Sequence, residues 1–90
     1  MGIREESIEG QESKRILESD VFKDSMQALA DGYQTEWMNS DMNDVEKRET
    51  TFVKLRMLAE FVNELQTVLE TGQLADEQIR LENKQGSTVN

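Results

Sequence analysis

The apolar positions of this chain recur at helical spacing, and the pattern changes direction near Ser19. At about 100° per residue, the apolar side chains of residues 22–37 fall on one side of a helix, whereas those just before Ser19 fall outside that side. The residues on this side are Phe22, Met26, Leu29, Ala30, Tyr33 and Trp37. Ser19 or Asp20 can cap a new first turn, because a short oxygen-bearing side chain accepts from free backbone amides. The pattern predicts a short helix over residues 12–18, a break, and a longer second helix.

A polar run, "NSDMND" at residues 39–44, follows the second helix. Five of its six residues favour turns or helix caps. Asn43 is followed three positions later by Glu46, which is the spacing of a capping box at the start of another helix. We therefore expect a helix, a turn with its tip at residues 39–43, and a further helix, which together form an antiparallel hairpin.

The helix after the turn is predicted to run over residues 44–70, with Gly72 as its C-terminal cap. Its leucine-rich seam consists of Leu55, Leu58, Val62, Leu65 and Leu69. Phe52, Ala59, Phe61 and Val68 widen this seam. The combined apolar face spans about 200°, whereas one partner helix covers roughly 100° of it. The width predicts that a further element, or a second molecule, covers the remainder.

The whole chain is accordingly predicted to be all-α. No proline interrupts the helical pattern, and few residues before the C-terminal tail favour strands. We divide it into a flexible N-terminal arm at residues 1–11, a helical hairpin domain at 12–74, and a polar flexible tail at 75–90. A domain of this size buries a modest fraction of its surface, so self-association or docking on a partner is expected to complete the fold.

Composition removes most catalytic chemistry. The 90 residues include neither cysteine nor histidine, so thiolate and imidazole metal sites and the usual nucleophile and base pairs are excluded. A calcium loop is the alternative interpretation of residues 39–44, because Asp41, Asn43 and Asp44 lie close together, but Val45 occupies a position that needs an oxygen ligand. We expect neither a cofactor nor a metal, and we do not expect an enzyme.

The chain is acidic, with a formal net charge of −9. This charge disfavours direct binding to nucleic acid and to anionic membranes. No run of about 18 apolar residues predicts a membrane span, and the N-terminal residues have no apolar core of the length that an export signal needs. The acidic face of the second helix and turn consists of Asp20, Asp24, Asp31, Glu36, Asp41 and Asp44. One functional alternative is therefore an inhibitor that mimics nucleic acid and occupies the nucleic-acid channel of a host enzyme. A solvated helix face is the plainer interpretation of the same residues.

The candidate interface residues are apolar or aromatic. They are Tyr33, Trp37, Met57, Phe61, Leu65 and Val68. Met38 and Met42 are further candidates for contacts with another chain, because methionine side chains adapt to irregular surfaces. For Tyr33 and Trp37, the end of a helical core is the plainer interpretation, because such a pair more often closes a core than forms an interface. Phe61 and Val68, seven residues apart, lie on the same side of the predicted helix and are the expected centre of an interface.

Three segments together resemble a family of small helical proteins. The segments are "RILESDVFKDSMQAL", "TEWMNSD" and "EKRETTFVKLRMLAEFVNELQTVLETGQLA". Their order of a lone tryptophan, a turn, an Arg48–Glu49 pair, a leucine-rich helix and a closing glycine resembles proteins encoded by tailed double-stranded DNA bacteriophages and prophages. The resemblance covers about residues 14–75. It implies a virion, packaging or assembly component, located in the virion or the host cytoplasm, whose partners are proteins and include its own copies or a larger phage assembly.

Overall fold

The computed structural model describes residues 2–88, with side chains described to residue 85. Three helices account for nearly all of this part of the chain: α1 at Ile3–Glu18, α2 at Asp20–Met38 and α3 at Val45–Thr88. The described residues contain no strand. The all-α class predicted from the sequence is confirmed.

The chain divides into two compact units. One unit combines Met1–Leu17 with Glu64–Asn90, and the other is Glu18–Asn63. The first, which we call the crossing unit, contains most of α1 and the C-terminal part of α3. The second, which we call the turn unit, contains α2, the connection that follows it, and the N-terminal part of α3.

In the crossing unit, α1 meets α3 through small residues. The buried residues of α1 are Ser7, Gly10 and Ser13, spaced three positions apart on one side of the helix. A methyl group added to Gly10 would come within 2.6 Å of the Cα atom of Gly72 on α3. The two backbones are therefore in direct contact at this point, and no side chain fits between them.

Two serine hydroxyls join the helices on either side of this contact. The hydroxyl of Ser7 donates to the carboxylate of Asp76, and the hydroxyl of Ser13 donates to the backbone carbonyl of Leu65 at 2.5 Å. Ser7 and Ser13 are buried, and a buried hydroxyl without a partner would cost about 1–3 kcal/mol. Close backbone approach and satisfied polar groups thus stabilise this unit.

The predicted bounds of the first and last helices are wrong. Residues 3–11, expected as a flexible arm, form the first half of α1, and α3 continues through Gly72 to Thr88 over most of the expected tail. The physical reason is the close crossing, because serine and glycine carry no apolar signal yet pack well where backbones touch. Residue 1 of the predicted arm and residues 89–90 of the predicted tail lie outside the described part of the chain.

In the turn unit, local capping sets the ends of the helices. Ser19 has an extended backbone (ψ 127°), and its hydroxyl accepts from the amide of Phe22 at 3.3 Å, which confirms the predicted break. Helix α2 ends at Met38 and α3 begins at Val45, so the predicted turn is confirmed.

Two contacts made by aromatic rings show which parts of α2 and α3 lie next to each other in this unit. The rings of Phe22 and Phe61 lie 6.3 Å apart. Further along α2, the guanidinium of Arg48 lies over the ring of Trp37 at 4.7 Å. The contacting position on α3 therefore falls as the position on α2 rises.

Burial in the turn unit is partial except at Thr51. Thr51 is completely buried, whereas no residue of α2 is. Of the predicted core side of α2, the side chains of Leu29 and Trp37 are exposed, and the rest are half-buried. Gly32 has no atom within 4 Å of an added methyl group, so it is a surface glycine. A shallow core of this kind leaves much apolar surface accessible.

The cap of α3 is one residue later than the predicted capping box. The carboxylate of Asp44 accepts from the amide of Lys47 at 3.2 Å, whereas Asn43 donates its backbone amide to Asp41 at 3.1 Å. The predicted cap at Asn43 is wrong, because the tight turn formed by Asp41 engages the backbone of Asn43 and leaves the next residue to begin the helix.

Alanine substitutions at Asn43 and Asp44 test which of the two residues caps α3. Asp44→Ala is expected to lower the free energy of unfolding by about 1 kcal/mol, because it removes the cap of α3. Asn43→Ala is the matched control. It should change the free energy of unfolding by only a few tenths of the effect of Asp44→Ala, because Asn43 contacts Asp41 through its backbone amide. Urea denaturation followed by circular dichroism measures both values. A larger loss for Asn43→Ala than for Asp44→Ala would contradict this assignment.

Candidate protein-interaction surface

A groove with a volume of about 520 Å³ lies at the end of the turn unit. We call it the turn-end groove. Its lining residues are Trp37, Met42, Val45, Arg48, Glu49, Phe52 and Val53. They come from the last turn of α2, the connection, and the first turns of α3.

The connection is held by hydrogen bonds to the end of α2. The backbone amide of Asn39 donates to the carbonyl of Thr35 at 2.9 Å, and the hydroxyl of Ser40 donates to the carbonyl of Trp37 at 2.5 Å. These contacts satisfy carbonyls that a helix end leaves free. Met42, further along the connection, is 81% exposed.

Helix α3 contributes the opposite wall of the groove. Val45 and Phe52, seven residues apart, lie on nearly the same side of the helix, and both are more than half exposed. Val53 adds to this surface. The groove therefore presents large apolar side chains to solvent from two directions.

Two charged residues border the apolar lining. Arg48 is half-buried and stacks on Trp37, an arrangement in which the positive guanidinium faces the negative face of the indole ring. Glu49, the next residue, is exposed. The groove thus combines an aromatic ring, a flexible thioether, aliphatic groups and one charge of each sign.

The structure separates the six predicted interface residues. Trp37 lines the turn-end groove, and Tyr33 is half-buried beside the ammonium of Lys54, which lies 5.6 Å from the centre of its ring. Met57 and Phe61 are exposed on α3 of the same unit. These four side chains do not form one continuous lining, because Met57 and Phe61 lie outside the groove.

Leu65 and Val68 belong to the crossing unit. Both are half-buried, and α1 of the same chain lies against this part of α3: Ser13 bonds to the carbonyl of Leu65, and a methyl group on Gly10 would lie 3.3 Å from the carbonyl oxygen of Val68. Helix α1 is therefore one of the additional elements that the wide apolar face of α3 required.

Sequence reasoning missed the contribution of three apolar groove residues, Val45, Phe52 and Val53. It placed Phe52 at the edge of the leucine seam, and it gave Val45 and Val53 no interface role. The available signal was the seven-residue spacing of Val45 and Phe52 on a side of α3 that is distinct from the Leu55, Val62 and Leu69 line.

Most carboxylates of the predicted acidic face have local partners. Asp31 accepts from Gln27 at 2.8 Å, and Glu36 lies 4.0 Å from the ammonium of Lys54. Asp41 and Asp44 accept backbone amides around the connection, while Asp20 follows the cap residue in the first turn of α2. Asp24 is exposed. Four of these six acids therefore have a partner within the chain.

Other kinds of site find no support in the described residues. Within residues 2–88, no group of three or more acidic, histidine or cysteine side chains is arranged to hold a metal ion. Over the same range, no helix has both the length and the apolar character of a membrane span. The side chain of Arg80 lowers the pKa of the Glu77 carboxyl by hydrogen bonding and charge, but both side chains are exposed and lie in the crossing unit.

The chain was compared with protein-family models, curated proteins and solved structures. No family model matches it, and no curated protein or solved structure is significantly similar to it.

Proposed function

We propose that this protein is a non-catalytic interaction and assembly component that associates through the turn-end groove. The observation that supports this most directly is the exposure of Met42, Val45, Phe52 and Val53 around a half-buried Arg48. Contiguous apolar surface of this kind on a soluble domain marks a place where another molecule is bound. The antiparallel pair of α2 and α3 is then completed by association, as the width of its apolar surface requires.

The residue types of the groove suit protein recognition. Aromatic residues, methionine and arginine are enriched at the centres of protein interfaces, where they fill pockets and exclude water. Trp37 and Arg48 already hold each other in place, so ordering them on binding costs little conformational entropy. Burying two side chains such as Met42 and Phe52 would contribute on the order of 3–5 kcal/mol, which is enough to decide whether a small assembly holds together.

The same lining offers little for catalysis. Arg48 and Glu49 are its only ionisable side chains, and it has no hydroxyl that a neighbouring base could activate. The resemblance to proteins of tailed bacteriophages implies, as the setting of such an interaction protein, a virion, DNA packaging or assembly within the host cytoplasm. We include that setting in the proposal.

Two phenylalanines of α3 test which surface is used. Phe52 and Phe61 are 57% and 53% exposed, but only Phe52 lines the groove, whereas Phe61 contacts Phe22. Phe52→Ser is expected to weaken association at least tenfold with little change in helicity, since losing one buried phenyl ring costs about 1.5–3 kcal/mol. Phe61→Ser should mainly lower the stability of the turn unit. Sedimentation equilibrium and circular dichroism separate the two effects.

The opposite result would locate the interface elsewhere. If Phe61→Ser dissociates the assembly and Phe52→Ser does not, the working surface is the Met57 and Phe61 side of α3, and the groove assignment is wrong.

A further inference from the structure

One side of α3 is self-complementary in charge. Val45, Glu49, Phe52 and Arg56 recur at intervals of four, three and four residues, so they lie within an arc of about 60° that we call the outer face of α3. All four side chains are exposed. Glu49 and Arg56, of opposite sign, lie on either side of Phe52.

The spacing of these charges favours one arrangement of two identical helices. If two copies of the outer face meet antiparallel about an axis between Phe52 and Val53, Glu49 of each copy lies opposite Arg56 of the other. A parallel arrangement would instead place Glu49 opposite Glu49 and Arg56 opposite Arg56, which is repulsive. In the antiparallel arrangement, each Phe52 also lies at the centre, next to Val53 of the second copy.

We infer that the partner of the outer face is a second copy of this chain, bound antiparallel, with Phe52 near the two-fold axis and two reciprocal Glu49–Arg56 ion pairs. This inference rests on the proposed function, because Phe52 also lines the turn-end groove. The interface is isologous, as in most soluble homodimers.

The negative charge of the rest of the chain favours self-association through the outer face of α3. Two copies, each of net charge −9, repel one another over most of their surfaces. On the outer face, Glu49 and Arg56 carry opposite charges, so each copy offers the other a complementary charge there. Within one chain, Arg56 lies 3.8 Å from Glu60, but both side chains are 68% exposed, and so loose a pair leaves Arg56 able to turn toward the second copy.

Charge reversal tests this arrangement with the full-length chain. Glu49→Arg and Arg56→Glu each place like charges opposite one another in the homodimer, and each is expected to weaken self-association about tenfold or more. An equimolar mixture of the two variants restores both attractive pairs in a heterodimer. We therefore expect the mixture to associate like the wild-type chain. Sedimentation equilibrium measures the affinities, and native mass spectrometry identifies the heterodimer.

Each other outcome overturns the inference in a distinguishable way. A wild-type chain that remains a monomer at millimolar concentration excludes the second copy as partner. If association depends on Phe52 but the mixture of the two charge variants associates no more tightly than either variant alone, the antiparallel pairing is excluded. The proposed function is then unaffected. Association that is unaffected by Phe52→Ser contradicts the proposed function itself, and the second-copy arrangement with it.

Discussion

Gly10→Ala is expected to lower the free energy of unfolding of the crossing unit by about 1–3 kcal/mol, the usual cost of forcing an extra group into a close-packed contact. The added methyl group would lie 2.6 Å from the Cα atom of Gly72 and 3.3 Å from the carbonyl oxygen of Val68. Both are backbone atoms of a helix and cannot rotate away, so α1 has to move outward. That movement would also lengthen the hydrogen bonds made by Ser7 and Ser13.

Gly32→Ala is the matched control, because Gly32 is also helical but has nothing within 4 Å of an added methyl group. This change should raise the stability by up to about 1 kcal/mol, since alanine is the better helix former. Urea denaturation with circular dichroism measures both variants, and hydrogen exchange of the α1 amides reports on the crossing itself. Equal stabilisation by the two substitutions would show that the helices do not touch at Gly10.

Thr51→Lys is expected to lower the free energy of unfolding of the turn unit by about 3 kcal/mol or more. Thr51 is the only residue among the described side chains that is completely buried, and its hydroxyl donates to the carbonyl of Lys47 at 2.8 Å. A lysine there either buries an unpaired charge or forces α2 and α3 apart, and both are among the most destabilising changes that a core position can undergo.

The neighbouring threonine provides the control. Thr50 makes the same type of bond, to the carbonyl of Glu46 at 2.8 Å, but its side chain is exposed. Thr50→Lys should therefore change stability by no more than about 0.5 kcal/mol. Thermal and urea denaturation of both variants give the comparison. A similar effect at the two positions would mean that the burial of Thr51 contributes little to the packing of α2 on α3.

These two predictions differ in how they relate to the candidate site. Thr51 lies in the turn unit, where α2 and α3 must stay together for Trp37 and Phe52 to line one groove. A loss of association in Thr51→Lys is therefore expected to follow the loss of structure, unlike that in Phe52→Ser. Gly10 lies in the crossing unit, so its substitution tests that unit by itself.

The predictions from sequence that the structure confirms concern features determined by residues close together in the chain. The break at Ser19 and the turn before Val45 follow from side chains that bond to amides within three positions, and the helical spacing of apolar residues specifies the all-α class. The error at Asn43 was one residue, because two adjacent side chains had the chemistry of a cap and only the turn made by Asp41 distinguished them.

Contacts between distant residues decided the rest. Gly72 has the chemistry of a helix end, yet α3 continues through it, because the absence of a side chain there allows the backbone of α1 to approach at Gly10. Likewise, the pattern alone could not distinguish Phe52 from Val68. Helix α1 lies against α3 at Val68, whereas Phe52 stays exposed beside the connection. Apolar spacing specifies which side of a helix is to be covered, but what covers each part of it depends on where the other helices pack.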